Sequence, residues 1–488
     1  MLLNLDGTGA LYEQIARGLR RAIIGKDLGR GARLPGSRRL ASDLSVSRNA
    51  VIAAYEQLLA EGYIESRARS GTFISSTLPH DVLRLEPKAG AKASGAGFRP
   101  ELGQSGARIV AAVKNVSTVR ETAALDVNFQ YGLAVPDGQA ISELRRLHDS
   151  AIREPLFDYP DPAGDMELRR QLARLLRLNR GVQVAPSQII VTCGSQQGLD
   201  LCARLTLDSG SEVVIEDPVY QGARCVFEAT GARLLSSPVD AYGLNPNTLP
   251  DPAPQVRLIY ITPSHQFPTG GVMPLARRLD LLAWATRNRV LVLEDDYDSE
   301  FRYDCRPLEA IAALASPGAS PVVYMGTFAK SLFPSLRLGF LAVPNALVEA
   351  CTSAKWLTDR GSALVYQRVL ALFIRSGGYE RHLRRMSRRY SARRECLVTA
   401  LREQFGSKVD IKGSNAGLHL TIALRGMTPE STERMVSGCR EASVGVYPMS
   451  PYYFDTPPGA ELLLGFSGVT EAQIREGVER MSQVYDRL

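Results

Sequence analysis

From Glu121 to the end of this 488-residue chain, short apolar, β-branched runs alternate with helix-length stretches. The runs are IIVTC after Gln188, VVIE after Glu212, RLIYIT after Val256, LVLED after Val290 and VYMG after Val322. A strand buried on both faces reads as a continuous apolar run, and connections long enough to hold a helix let neighbouring strands lie parallel. The pattern predicts a mostly parallel sheet covered by helices on both faces. After about Gly377 the pattern changes to a long basic helix and then shorter strands, HLTIAL and ELLLGF, which predicts a smaller α+β lobe. The sequence contains no internal repeat.

The residues before this body fall into two zones. Residues 76–120 contain KAGAKASGAG, are poor in aromatics and keep no period, the composition of a flexible linker. Residues 1–75 form a separate, basic head with eleven Lys/Arg against seven Asp/Glu, out of a whole-chain net charge of +7. That excess suggests a polyanion partner for the head. The overall composition, 45% hydrophobic and 22% charged, excludes a largely disordered, collagen-like or coiled-coil protein. No run approaches the ~18 apolar residues of a membrane span. Met1–Asp6 turns acidic too soon for a secretory leader. The seven cysteines show no C-x-x-C pair and read as reduced thiols of a cytoplasmic protein, with neither a disulfide frame nor a metal site.

In the head, apolar residues at 11, 15, 19, 23 and 24 mark one face of a helix that Gly25 ends. A second helix is expected from Ser37, with Ser37 itself as N-cap, and a third from Ser47 to Gly62. Two short strands around Arg67-ARSG complete a winged helix-turn-helix. Ser47, Arg48 and Asn49 open its third helix, the turn from which side chains reach base edges. Arg pairs with guanine and Asn with adenine through two hydrogen bonds each.

The body carries one stretch of concentrated chemistry, Thr327-FAKSLFPSLRLGF. Lys330 follows an apolar strand, where desolvation can strip its proton and ready it for a Schiff base. Arg337 follows as a fork for phosphate. A lysine nucleophile beside a phosphate site describes pyridoxal phosphate binding. Val290-LVLEDDYDSEF adds a buried strand ending in carboxylates, suited to a protonated pyridine nitrogen. Tyr297 lies two residues beyond Asp295, within reach of the ring's phenolic oxygen. Ile190-VTCGSQQGLDL adds a helix start suited to phosphate. Thr262-PSHQFPTGG is a Pro- and Gly-rich loop after a strand.

The head sequence LPGSRRLASDLSVSRNAVIAAYEQLLAEGYIESRARSGTFIS resembles the GntR type of DNA-binding domain, and residues 125–488 resemble the fold type I aminotransferases. This fusion is similar to the MocR/GabR family of bacterial transcription regulators. The resemblance implies DNA contacts from Arg38, Ser47, Arg48, Asn49 and Gly71. It implies Lys330 as the lysine of the internal aldimine, Asp295 as pyridine partner and Tyr297 as phenolate partner. Ser195, Gln196, Thr327 and Arg337 would hold the phosphate, and Tyr220 would stack on the ring. Tyr159 would reach the phosphate of the neighbouring subunit in a head-to-tail homodimer. The partners implied are pyridoxal 5'-phosphate, a double-stranded DNA operator and a small-molecule effector, either an amine or amino-acid-like molecule or pyridoxal phosphate itself.

Two positions depart from the aminotransferase pattern. Phe267 stands where those enzymes place an Asn, and Leu463 falls near their carboxylate-clamping Arg. Without that clamp an α-carboxylate lacks its bidentate partner, so transamination is expected to be weak or absent. The competing readings are an aminotransferase with an accessory DNA-binding head and a cofactor-free scaffold dimer.

Overall fold

The computed structural model describes residues 3–25, 27–68, 70–77, 101–114, 116, 125–153, 158–303, 308–316, 318 and 320–488. The KAGAKASGAG stretch and Arg69 of the wing turn lie outside these residues. The chain divides into two compact units, Met1–Glu101 and Leu102–Leu488. Among the described residues no helix is long and apolar enough to cross a membrane.

The first unit is a winged helix-turn-helix. Helices Leu11–Ile24, Ser37–Leu44 and Arg48–Ala60 precede an antiparallel pair, Ile64–Arg67 and Gly71–Ile74. Of the period read from the first helix, Ile15, Leu19 and Ile23 are buried against Leu40, Val51 and Leu58, while Leu11 and Ile24 at its ends are exposed. Ser47 caps the third helix, its side chain accepting from the Ala50 amide at 3.2 Å. Ser37 does not cap the second. Gly36 holds that position with no side-chain bond, and Ser37 is the first helical residue, its Oγ 3.4 Å from Arg48 Nε. The Pro35-Gly36 pair already sets the entry, which leaves the hydroxyl free to turn outward.

The second unit is an α/β body with a large mixed sheet and a smaller lobe. Its eight-stranded sheet runs in the order Ile189–Thr192, Gly339–Ala342, Val322–Thr327, Leu291–Asp296, Val256–Ile261, Glu212–Asp217, Arg233–Asp240, Gly243–Leu244. The pairings from Val322–Thr327 through Arg233–Asp240 are parallel, and Gly339–Ala342 and Gly243–Leu244 are antiparallel insertions. Val322–Thr327 is buried at every residue, as a strand sandwiched between helix layers must be. Helix Gly378–Phe405 leads into the smaller lobe, whose antiparallel sheet is Val409–Lys412, His419–Leu424, Ala460–Gly465 and Tyr447–Pro448.

Two segments differ from the sequence reading. Gln104–Val113, within the stretch read as linker, is a helix on Gln221–Thr230, where Arg108 Nε donates to the Ala229 carbonyl at 3.2 Å. Val127–Asn128, far ahead of Gly377, pairs with Val444–Gly445 of the smaller lobe. Phe129 is buried in that lobe's core, and its carbonyl accepts from the Gly465 amide at 2.8 Å. This anchorage carries the next residues, Tyr131 and Gly132, to the mouth of the large sheet.

Candidate functional site

The parallel register sets Met325 beside Asp295 and Gly326 beside Asp296, so the two chemically loaded strands end side by side. Their ends open onto a cavity of about 190 Å³. Lys330, Asp295, Tyr297, Ser195, Thr327, Arg337 and Tyr220 all line it. Of the residues expected to gather here, Gln196 does not line the cavity, and Tyr159 is expected at the neighbouring subunit's cavity instead. Gln196 turns away, its Nε2 donating to the Gly222 carbonyl at 3.1 Å. Tyr159 is 71% exposed and lies under the Arg360 guanidinium, 4.4 Å from ring centre to carbon.

Lys330 Nζ donates to the Gly132 carbonyl at 2.8 Å. Burial lowers its pKa, while Asp298 and Asp295 oppose that shift. A lysine in this setting is a ready nucleophile. Asp295 Oδ2 accepts from the Tyr260 hydroxyl at 2.7 Å, and its Oδ1 is buried with no partner among the described residues. Burial pushes the Asp295 carboxyl up to about 7, against the Tyr260 bond and Lys330, which pull it down. A buried oxygen of this kind calls for a charged donor.

The opposite wall is built by backbone shape. Gly194 has φ +75° just before helix Ser195–Thr206, and Arg337 itself is left-handed at φ +53°. A Cβ on Gly194 would lie 3.2 Å from the Arg337 guanidinium, which donates to the Cys193 carbonyl at 2.9 Å. Ser195, Thr327 and Arg337 thus make an anion cup at a helix start.

The Tyr297 hydroxyl lies 3.0 Å from His265 Nδ1, which is also 3.0 Å from Asp298 Oδ2. His265 therefore acts on Tyr297 from behind, and Phe267 fills the side of the cavity where an Asn was looked for. Phe267 meets Tyr220 edge-on, at 5.9 Å and 90°. It packs with Met449, Tyr452 and Leu463 in one apolar cluster. Neither Arg224 nor Arg360 lines this cavity. Arg224 pairs with Glu228 at 2.9 Å, and Arg360 stacks on Tyr159 and Trp356.

Sequence reading missed Tyr260, Asp298, Gly132, Tyr131 and His419, which also line the cavity or brace it. Tyr260 ends an apolar strand and looks like core. The parallel pairing of its strand with Asp295's was the signal that could have found it.

On the head, Arg38, Ser47, Arg48 and Asn49 are all exposed, as is Gly71 at the wing tip with φ +109°. A Cβ on Gly71 would sit 3.3 Å from Arg33 Nε, which places a further guanidinium beside the tip.

Residues 11–74 match the family described as bacterial regulatory proteins, gntR family, and residues 130–481 match aminotransferase class I and II. The chain is 36% identical to the probable rhizopine catabolism regulatory protein MocR of Rhizobium meliloti, over 99% of this chain and 96% of that one. It is 32% identical to the HTH-type transcriptional regulator TauR of Rhodobacter capsulatus, over 98% and 97%. Among solved structures it is similar to LysN, the alpha-aminoadipate aminotransferase of Thermus thermophilus complexed with N-(5'-phosphopyridoxyl)-L-leucine. That match has a TM-score of 0.69 and 26% identity, and covers 79% of this chain and 97% of that one.

Proposed function

Since the chain belongs to the MocR family of transcription regulators, a GntR-type DNA-binding domain fused to an aminotransferase-like domain, we propose that it binds pyridoxal 5'-phosphate in the Lys330 cavity and couples occupancy there to operator binding. The observation that carries this reading is the bare, buried Oδ1 of Asp295 in the same cavity as Lys330 and Arg337. A pyridinium N–H is the charged donor that this oxygen lacks, and the anion cup at Ser195 fits a phosphate.

In this reading Lys330 holds the cofactor's aldehyde carbon and Asp295 its ring nitrogen. Tyr297 meets the phenolic oxygen, Tyr220 covers the ring, and Ser195, Thr327 and Arg337 hold the phosphate. Gln196 serves from outside the cavity by fixing the loop at Gly222. Tyr159, exposed on its own subunit, reaches the phosphate of the partner in a head-to-tail homodimer. Bound there, the cofactor would supply an electrophilic carbon suited to a primary amine. Tyr260 holds the charge state of Asp295 from behind, and burial keeps Lys330 ready to give and take a proton. Arg38, Ser47, Arg48, Asn49 and Gly71 meet operator DNA, in the cytoplasm.

The apolar cluster at Phe267 and Leu463 argues against turnover of α-amino acids. A carboxylate placed there gains no bidentate partner, so the Cα–H bond is not held for proton removal. The effector is accordingly an amine without that requirement, or the cofactor itself. A ligand moves the protein between states only by its differential affinity for them.

The test is absorbance of the purified full-length protein. The account expects a visible band from bound cofactor that Lys330→Ala removes, and slow or no conversion by a panel of α-amino acids. An unchanged band in the variant overturns the Lys330 assignment. Rapid, complete conversion makes the chain an aminotransferase with an accessory head.

A further inference from the structure

Strand Leu291–Asp296 carries a second carboxylate next to Asp295, and successive side chains of a strand point to opposite faces. Asp296 lines a different cavity, of about 210 Å³, bounded by helix Met166–Arg180, strand Val322–Thr327 and the start of helix Gly378–Phe405. Thr327 lines both cavities.

The hydrogen bonding around Asp296 is lopsided. Arg180 Nε lies 2.7 Å from Oδ2, Ser299 Oγ donates to the same oxygen at 2.8 Å, and the Tyr324 hydroxyl donates to it as well. Oδ1 is buried and has no partner among the described residues, although the side chain is only 1% exposed. Glu300 repeats the asymmetry. Its Oε1 takes a long bond of 3.4 Å from the Tyr379 hydroxyl, and its Oε2 is shielded without a partner. Burial, and then the neighbouring Asp296, push the Glu300 carboxyl up to about 8.

Among the described residues, Asp296 Oδ1 and Glu300 Oε2 are therefore short of donors. Arg180 sets one positive charge against Asp296 but has no donor left for these two oxygens, because its Nη1 and Nη2 already donate to the Leu308 carbonyl at 2.5 Å and to Ser264 Oγ at 2.7 Å. Among the described residues no group of three or more His, Cys, Asp or Glu could hold a metal ion. The remaining walls are carbon-rich, with Leu172, Phe328 and Phe340, and such walls suit an organic cation better than a bare one.

We propose that this cavity is a second ligand site, which takes a small organic cation with at least two N–H donors, held by Asp296 Oδ1 and Glu300 Oε2. The site is distinct from the Lys330 cavity and does not depend on what binds there. Through Thr327 the two share a wall.

Imidazolium is the probe, because it carries two N–H donors and is not a primary amine that the cofactor could capture. Calorimetric titration of the full-length, cofactor-saturated protein at constant ionic strength is expected to show saturable binding of one imidazolium per chain. Glu300→Gln is expected to weaken it at least ~10-fold, because a bound cation draws the Glu300 carboxyl into its ionised form and an amide cannot follow, and Leu176→Phe to abolish it by filling the cavity. Absence of saturable binding, or binding that Glu300→Gln leaves intact, overturns the proposal. Should either cavity variant fail to fold, wild-type crystals soaked in bromoimidazole decide the matter. An anomalous peak between Asp296 and Glu300 supports the site; no peak, or a peak only in the Lys330 cavity, refutes it.

Discussion

Asp295 is the residue whose titration can be followed most simply. In the cofactor-free fold its carboxyl keeps its proton up to about 7, because burial outweighs Tyr260 and Lys330. An unfolded Asp loses its proton near 3.9. Between those values the folded state binds more protons, so this group's contribution favours folding at low pH and is lost as the pH rises through the window. Urea titration of the cofactor-free protein should show the Asp295→Asn variant losing less stability than wild type between about pH 5 and about pH 8, by on the order of 3 kcal/mol. Glu216 and Glu300 are also raised by burial and titrate in both proteins, so the difference between the two belongs to Asp295. Identical pH profiles would contradict the buried, donor-starved carboxylate. The legibility of this site follows from strand geometry. Lys330, Asp295 and Arg337 follow or end apolar runs, and the period of the sheet delivers such positions to one edge. Gly132 and Tyr131 were not legible, because they arrive on a segment without periodicity and are placed by the distant Gly465 amide.

At the scale of elements, the third helix of the head carries the sharpest expectation. Arg48 is exposed in its first turn and Arg38 in the preceding helix. If Arg48 grips a guanine, Arg48→Ala costs about 1–3 kcal/mol and relaxes choice at one base. Arg38→Ala, as a phosphate contact, weakens all sequences alike and lowers the salt slope by about one unit. Fluorescence anisotropy with operator and scrambled duplexes at several salt concentrations separates the two. Unchanged operator affinity in both variants would refute this docking. The face of the first helix was readable because its apolar period recurs at Ile15, Leu19 and Ile23. The start of the second helix was not, since Pro35-Gly36 and Ser37 offer the same entry to two neighbouring positions. Nor was the two-residue strand Val127–Asn128, which is too short to show any alternation and owes its pairing to the far end of the chain.

Across the whole molecule, the division of labour follows the division into units Met1–Glu101 and Leu102–Leu488. Deleting residues 1–75 is expected to abolish specific operator binding and to leave a body that still takes up pyridoxal phosphate, measured by anisotropy and by absorbance. Operator binding by the truncated body would refute that division. Composition put the end of the head at residue 75, where the basic excess ends, whereas the first unit runs to Glu101. On the other side it did not reveal helix Gln104–Val113, which belongs to the body because of what it packs on and buries no residue of its own.

The central claim is that the Lys330 cavity and the DNA-binding head are coupled, and one measurement addresses it directly. Operator affinity of the full-length protein is measured by anisotropy without cofactor, with pyridoxal phosphate, and with pyridoxal phosphate plus a panel of amines, for wild type and for Lys330→Ala. The account predicts that at least one of these additions shifts the wild-type affinity and that Lys330→Ala abolishes the shift. Wild-type affinity that stays the same under every condition would contradict it.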